Sequence, residues 1–174
     1  MIVLLTIVVF VPMLIEARRA AYNERAQRSR GGIEPAGDVY SIMRVAYPTA
    51  FLLMIGEALW RLAQGAAPPD VRLVVAGLTV FAAAKALKWW AILALGPAWT
   101  FRVIVVPGAA QVAGGPYAFL RHPNYVAVVL ELAGIALASG ARVTGPLATL
   151  AFGVLMMRRI TVEERALREA RLER

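Results

Sequence analysis

The stretch Gly115-Pro116-Tyr117-Ala118-Phe119-Leu120-Arg121-His122-Pro123-Asn124-Tyr125 gathers residue types that hold polar ligands, and it contains the chain's one histidine. Proline is favoured in the first turn of a helix, where its missing N–H would be unpaired anyway. Pro123 therefore predicts a helix start, with free backbone amides and the positive end of the helix dipole beside His122. Such a terminus is a ready anion site. Arg121 adds a fixed positive charge, His122 adds ring nitrogens, and Tyr117 and Tyr125 add amphipathic rings. An aromatic and basic belt that merely anchors a helix is the alternative. An anchor has no need of the Gly-Pro-Tyr before it, which favours a site.

Two more groups of charges stand out. Arg159 and Glu163 lie four apart and share a face if a helix runs through them. Glu163 or Glu164 can accept hydrogen bonds from hydroxyls or an ammonium, unless the tail is a solvated helix laced with its own salt bridges. Lys85, Lys88 and Glu131 interrupt apolar runs, and ionisable residues within a span are costly and usually face a cavity or a partner.

The elements that position these residues follow from composition. The chain has 174 residues, of which 60% are hydrophobic. A soluble domain of this size has no core able to hide so much apolar sequence, and its natural solvent is a bilayer. There are no cysteines, which excludes disulfides and thiolate chemistry, and one histidine argues against a metal site. The net charge of +8 is better read as arginines at one membrane face than as a nucleic-acid footprint.

A spanning helix needs roughly 20 apolar residues. The candidate runs are Met1–Ala17, which is short and ends at Arg18 and Arg19, Val45–Ala63, Leu73–Leu95, a fourth from Pro123 to about Ser139-Gly140, and Val143–Met157. A cleaved signal peptide is the alternative for the first, but no basic residue precedes it and no small-x-small site follows it. Arginines crowd the segment after the first span, recur at Arg102 and Arg121, and fill the tail from Arg158 to Arg174. The positive-inside rule puts these segments in the cytoplasm, with the amino terminus outside. The expected fold is thus all-α, an integral membrane bundle of about five transmembrane helices. Its cofactor pocket would lie on the cytoplasmic side, formed by the last two helices and the carboxyl-terminal tail. Residues 1–174 form one domain in this reading. The segment Arg18–Asp38 is either an interfacial helix followed by a loop or a loosely ordered tether. Glu57 has no evident partner. No internal repeat is visible, which counts against an inverted-repeat transporter.

The string Gly115-Pro116-Tyr117 … Arg121-His122-Pro123-Asn124-Tyr125 resembles the signature of the isoprenylcysteine carboxyl methyltransferase family. The resemblance runs back through Leu95-Gly96-Pro97-Ala98-Trp99-Thr100 and forward to Glu163-Glu164-Arg165-Ala166-Leu167, within residues 73–174. Residues 1–72 carry no recognisable motif. The resemblance implies a membrane methyltransferase that uses S-adenosylmethionine. It implies that Gly115, Pro116, Tyr117, Arg121, His122, Pro123, Tyr125, Glu163 and Glu164 hold that cofactor. It also implies functional roles for Arg159 and Glu164. At Lys88 the family often carries an arginine; lysine keeps the charge but loses the planar fork.

Counting helical rise puts Lys88 about 10 Å and Glu131 about 12 Å below the cytoplasmic end of their spans. Lys88 and Glu131 are therefore expected to line the inner end of a substrate cavity, or else to form a buried structural ion pair. A carboxylate acceptor needs only a cationic guide, whereas a phenol, with a pKa of about 10, must also lose its proton. Glu131, His122 or a neutral Lys88 could take it. A membrane bundle makes sense if the acceptor is lipidic while the cofactor arrives from the cytoplasm. The alanine- and arginine-rich composition points to a bacterial inner membrane. Arg-His-Pro-Asn-Tyr with Val-Glu-Glu-Arg-Ala-Leu is similar to a bacterial branch that methylates alkylpyrone or alkylresorcinol lipids. A phenolic or enolic lipid is thus the first expectation and an isoprenylcysteine-type carboxylate the second. A non-enzymatic membrane transporter or scaffold is the alternative from another class.

Overall fold

A computed structural model describes residues 2–172, without the side chains of 171 and 172. Met1 of the expected first span, Arg174 of the basic tail and the side chain of Arg171 lie outside the described residues. The fold is an all-α membrane bundle. Its helices are α1 (Ile2–Ser29), α2 (Tyr40–Ala63), α3 (Val71–Leu95), α4 (Pro123–Ser139) and α5 (Thr144–Leu172). Short 3-10 turns at Gly96–Ala98 and Gly115–Ala118 bracket the long connection between α3 and α4.

Helices α2, α3 and α5 are each long and apolar enough to cross a membrane. The remaining apolar helix, α4, has 17 residues and starts at Pro123, where the sequence places it. Two helices outrun their apolar cores. α1 passes beyond Ala17 through the arginine-rich stretch to Ser29 and a loop follows, so the stretch is a helix continuous with the first span and not a loose tether. α5 carries on from its apolar half into the charged tail. Hydropathy marks where a helix leaves the bilayer, and straight-chain Arg, Glu and Ala keep it helical beyond that point.

The core interleaves Phe51 and Met54 of α2, Phe81 of α3, Leu132 and Ile135 of α4, and Phe152 and Met156 of α5. α3 and α4 are the most intimate pair. A Cβ built on Gly77 would lie 2.5 Å from the Gly134 carbonyl oxygen, and one on Gly134 would lie 2.7 Å from the Phe81 nitrogen. Two glycines facing each other let the backbones touch, the usual device where apolar solvent gives no drive for helices to associate.

Glu57 of α2 finds its partners at the far end of the bundle. Its carboxylate accepts hydrogen bonds from the backbone N–H of Arg142 (2.7 Å) and Thr144 (2.7 Å), and from the Thr144 hydroxyl (2.7 Å). It caps the start of α5, supplying acceptors to amides that have no intrahelical partner.

The connection from Gly31 to Asp38 does not trail free. Ile33 and Val105 exchange antiparallel backbone hydrogen bonds of 2.8 and 2.9 Å. Arg102 reaches Glu34 at 2.6 Å and Glu24 at 2.7 Å, and its guanidinium lies 4.7 Å from the centroid of the Tyr40 ring. The partial burial of Glu34 opposes ionisation, but hydrogen bonds from Arg102 and Arg28 prevail and hold its carboxyl below the usual range. From α1, Asn23 donates to the carbonyls of Gly96 (3.0 Å) and Trp99 (2.7 Å), and Gln27 donates to that of Pro97 (2.7 Å). The amino-terminal helix and its following strap therefore hold the α3–α4 connection in place.

Candidate active site

A cavity of about 580 Å³ opens between the α3–α4 connection, the first turn of α4 and the charged half of α5. That volume falls in the range of small-molecule and cofactor sites. Of the residues singled out from sequence, Tyr117, Arg121, His122, Tyr125, Arg159 and Glu163 lie on its wall. The apolar part of the wall comes from the connection, including Val103, Ile104 and Val105.

The polar wall is one continuous network. His122 precedes the proline that opens α4, and its ring stacks on Tyr125 at 5.4 Å with 7° between the planes. Its Nδ1 lies 3.6 Å from Glu163 and its Nε2 lies 3.3 Å from Glu164. Those contacts explain its basicity. The Glu163 carboxylate beside the ring outweighs partial desolvation, Glu164 adds to it, and the imidazole is held above its ordinary value. Tyr125 donates to Glu163 at 2.5 Å and accepts from Nε of Arg159 at 3.0 Å. Arg159 also binds Asp38 at 3.2 Å and donates to the carbonyl of Phe101. Burial, with Glu163 nearby, pushes the Tyr117 phenol above its ordinary value.

Other expected site residues shape this wall from behind. Glu164 touches the site through His122. Gly115 has φ +63°, and a Cβ there would come within 2.9 Å of Ala94. Only glycine both adopts that backbone and lets the turn press against α3. Pro116 is buried beneath the turn, and Pro123 is buried at the first position of α4. These three set the path of the chain around His122 and are not part of the wall.

Lys88 and Glu131, expected to line the inner end of a substrate cavity or to form a buried ion pair, lie apart from this cavity. Neither lines the cavity. They sit within the bundle in a four-charge cluster with Lys85 and Glu16, the last supplied by α1. Lys85 is 2.8 Å from Glu16 and 3.0 Å from Glu131. Lys88 is 2.8 Å from Glu16 and 3.4 Å from Glu131. Tyr47 of α2 donates to Glu131 at 2.5 Å. Each acid meets both lysines, so every charge of the cluster has an opposite charge beside it. Glu16, Tyr47 and Asp38 were not found from sequence. Glu16 carried the one usable signal, a carboxylate at the end of an apolar run opposite two intramembrane lysines.

The wall tests well against a methyl-donor cofactor with a carboxylate, an ammonium, a sulfonium and a ribose diol. Cationic His122 and Arg121 suit the first, and carboxylate Glu163 suits the others. Two polar atoms of wall residues, Trp99 Nε1 and Asn124 Oδ1, are buried without a hydrogen-bond partner. Among the described residues no cluster of acids or histidine could hold a metal ion.

A family model for the isoprenylcysteine carboxyl methyltransferase family matches residues 75–169, from α3 to the charged half of α5. The chain belongs to that family. The matched segment contains every wall residue named above, and the family is one of membrane methyltransferases. An uncharacterized protein of Bacillus subtilis (strain 168), YpbQ, is 33% identical over 166 residues, which is 95% of this chain and 96% of that one. The similarity thus extends through α1 and α2, beyond the part that the isoprenylcysteine carboxyl methyltransferase model covers. No solved structure matches.

Proposed function

We propose that this chain is an integral membrane O-methyltransferase that uses S-adenosylmethionine to methylate a lipidic acceptor, a phenolic or enolic polyketide lipid. The observation that carries the reading is the meeting of the Arg121–Tyr125 turn with Glu163 and Glu164 around one cavity, at Tyr125–Glu163 and His122–Glu164. When bound, the cofactor supplies an electrophilic methyl group on a sulfonium. His122, Arg121 and the first turn of α4 would hold its carboxylate, and Glu163 and Glu164 its ammonium or ribose hydroxyls. Arg159 supplies a fixed positive charge for an anionic acceptor oxygen. Of the bases considered from sequence, His122 alone is on the wall; with its imidazole protonated against the cofactor carboxylate, a phenol's proton passes instead to neighbouring Glu163. The apolar side, Val103–Val105, would exclude water and take the lipid. Positioning in such a cleft contributes roughly 7–11 kcal/mol to catalysis.

The phenolic preference rests on the similarity of Arg121-His122-Pro123-Asn124-Tyr125 and Val162–Leu167 to the lipid-methylating branch. Carboxyl methylation of an isoprenylcysteine-type substrate is the second reading, favoured by Arg159, since a carboxylate needs a cation and no base. In this proposal the whole chain acts as one domain in a bacterial inner membrane. The amino terminus is outside and the cavity opens to the cytoplasm, where the arginine-rich segments lie. Transfer of a labelled methyl group to a panel of alkylresorcinols, alkylpyrones and prenylcysteine tests acceptor and activity together. Failure of the detergent-solubilised protein to bind millimolar S-adenosylmethionine would leave only a non-enzymatic membrane role.

A further inference from the structure

Asp38 lies in the strap between α1 and α2, outside the segment that the family model matches. Its side chain is 4% exposed, yet it is not part of the cavity wall. One oxygen accepts from Arg159 Nη1 (3.2 Å) and from the Tyr40 N–H (3.1 Å), and the other accepts from the Val103 N–H (2.9 Å). Among the described residues, it is the one carboxylate in an ion pair with Arg159.

Arg159 is 3% exposed, so its charge requires a partner. Glu163 sits one helical turn further along α5 and already attracts it. Glu163, however, serves Tyr125 and His122. A carboxylate from outside the wall satisfies the guanidinium and frees Glu163 for the wall. The contacts form a chain from Asp38 through Arg159, Tyr125 and Glu163 to His122, and only its first member is remote from the cavity.

We propose that Asp38 is a positioning residue of the methyl-transfer site, which holds Arg159 away from Glu163 and so keeps Glu163 on His122. It acts through Arg159 and touches neither cofactor nor acceptor. The same carboxylate fixes the Val103 amide, so one side chain sets both the cation of the wall and the start of its apolar side. This role deepens the proposed function and rests on it for its catalytic meaning.

The test uses Asp38→Asn, which keeps the size and removes the charge. Arg159 then turns to Glu163 and His122 loses one of its two carboxylate partners, keeping Glu164. His122 is the only histidine, so one imidazole resonance reports on it in detergent without cofactor. Glu163, Glu164 and Tyr125 are the groups facing that ring. Its titration midpoint should fall in Asp38→Asn, and restoring the charge with Asp38→Glu should bring it part of the way back. An unmoved midpoint in folded protein overturns the proposal. With cofactor, Asp38→Asn should weaken S-adenosylmethionine binding about tenfold. In an Arg159→Gln background it should weaken it no further, whereas additive losses would mean a separate, structural role. If Asp38→Asn fails to fold, the Asp38→Asn/Arg159→Gln protein should fold, and its failure would equally overturn the proposal. Absence of cofactor binding by the wild type sinks the proposed function alone, because the imidazole titration stands without it.

Discussion

The Tyr125 hydroxyl joins two charged residues of α5 that do not pair with each other, accepting from Arg159 at 3.0 Å and donating to Glu163 at 2.5 Å. A neutral group thereby keeps a cation and an anion four residues apart in separate places on the wall. Residues at this spacing on a helix commonly pair directly; here the hydroxyl stands between them.

Tyr125→Phe tests this separation. The ring still stacks on His122, but the hydroxyl is gone. Cofactor affinity should drop about tenfold, the scale of one hydrogen bond to a charged group. Binding of S-adenosylmethionine followed by calorimetry, with helical content checked by circular dichroism, measures it. Unchanged affinity would place the cofactor elsewhere.

His122 makes stability depend on pH in a known direction. Its midpoint is raised in the folded state by Glu163 and Glu164. The unfolded value is about 6.5. The stabilisation is therefore complete below that pH and is lost as pH rises through the higher, folded midpoint. Thermal denaturation across this window should show a falling transition temperature, and His122→Gln should flatten the fall.

The buried charges predict asymmetric mutational costs. Removing one member, as in Lys88→Met, strands an acid in the bundle and should cost about 3–5 kcal/mol. Removing an acid with it, as in Lys88→Met/Glu131→Gln, should cost less than the single change. Unfolding in denaturant-titrated micelles distinguishes the outcomes. If Lys88→Met is fully stable but inactive, the cluster has a direct role in the reaction and the structural reading fails.

Glu57→Ala removes the cap from α5 at the end remote from the cavity. A loss of about 1–2 kcal/mol is expected from the cap alone. Cofactor affinity should stay at the wild-type value, since Glu57 shares no partner with the wall. A large change in affinity would mean that the start of α5 is coupled to the site.

The sequence was most legible where single residues punctuate it. Pro123 starts α4 and Gly140 ends it, as their local chemistry requires. The approach of Glu163 and Glu164 to His122 was legible through the resemblance. Hydropathy could not show that α1 and α5 continue beyond their apolar runs. Partners far apart in sequence were also hidden. Asp38 and Arg159 are 121 residues apart, and Glu16 and Lys85 are 69 apart, with no periodicity to relate them. Lys88 and Glu131 were legible as a pair at matching depth. Their distance from the cavity wall was not, because depth along a helix leaves its rotation undefined. Glu57 was unreadable for the same reason as Asp38: the amides it serves belong to a turn 85 residues or more away.

The Glu16–Lys85–Lys88–Glu131 cluster has an electrical consequence. A unit charge moved across a membrane potential gains or loses about 2.3 kcal/mol per 100 mV. Two ammoniums and two carboxylates sum to zero. If the cluster shifts along the membrane normal as a unit, it does no net work against the field. The bundle can thus hold two acids and two lysines in its interior with no net charge on which such a field could act.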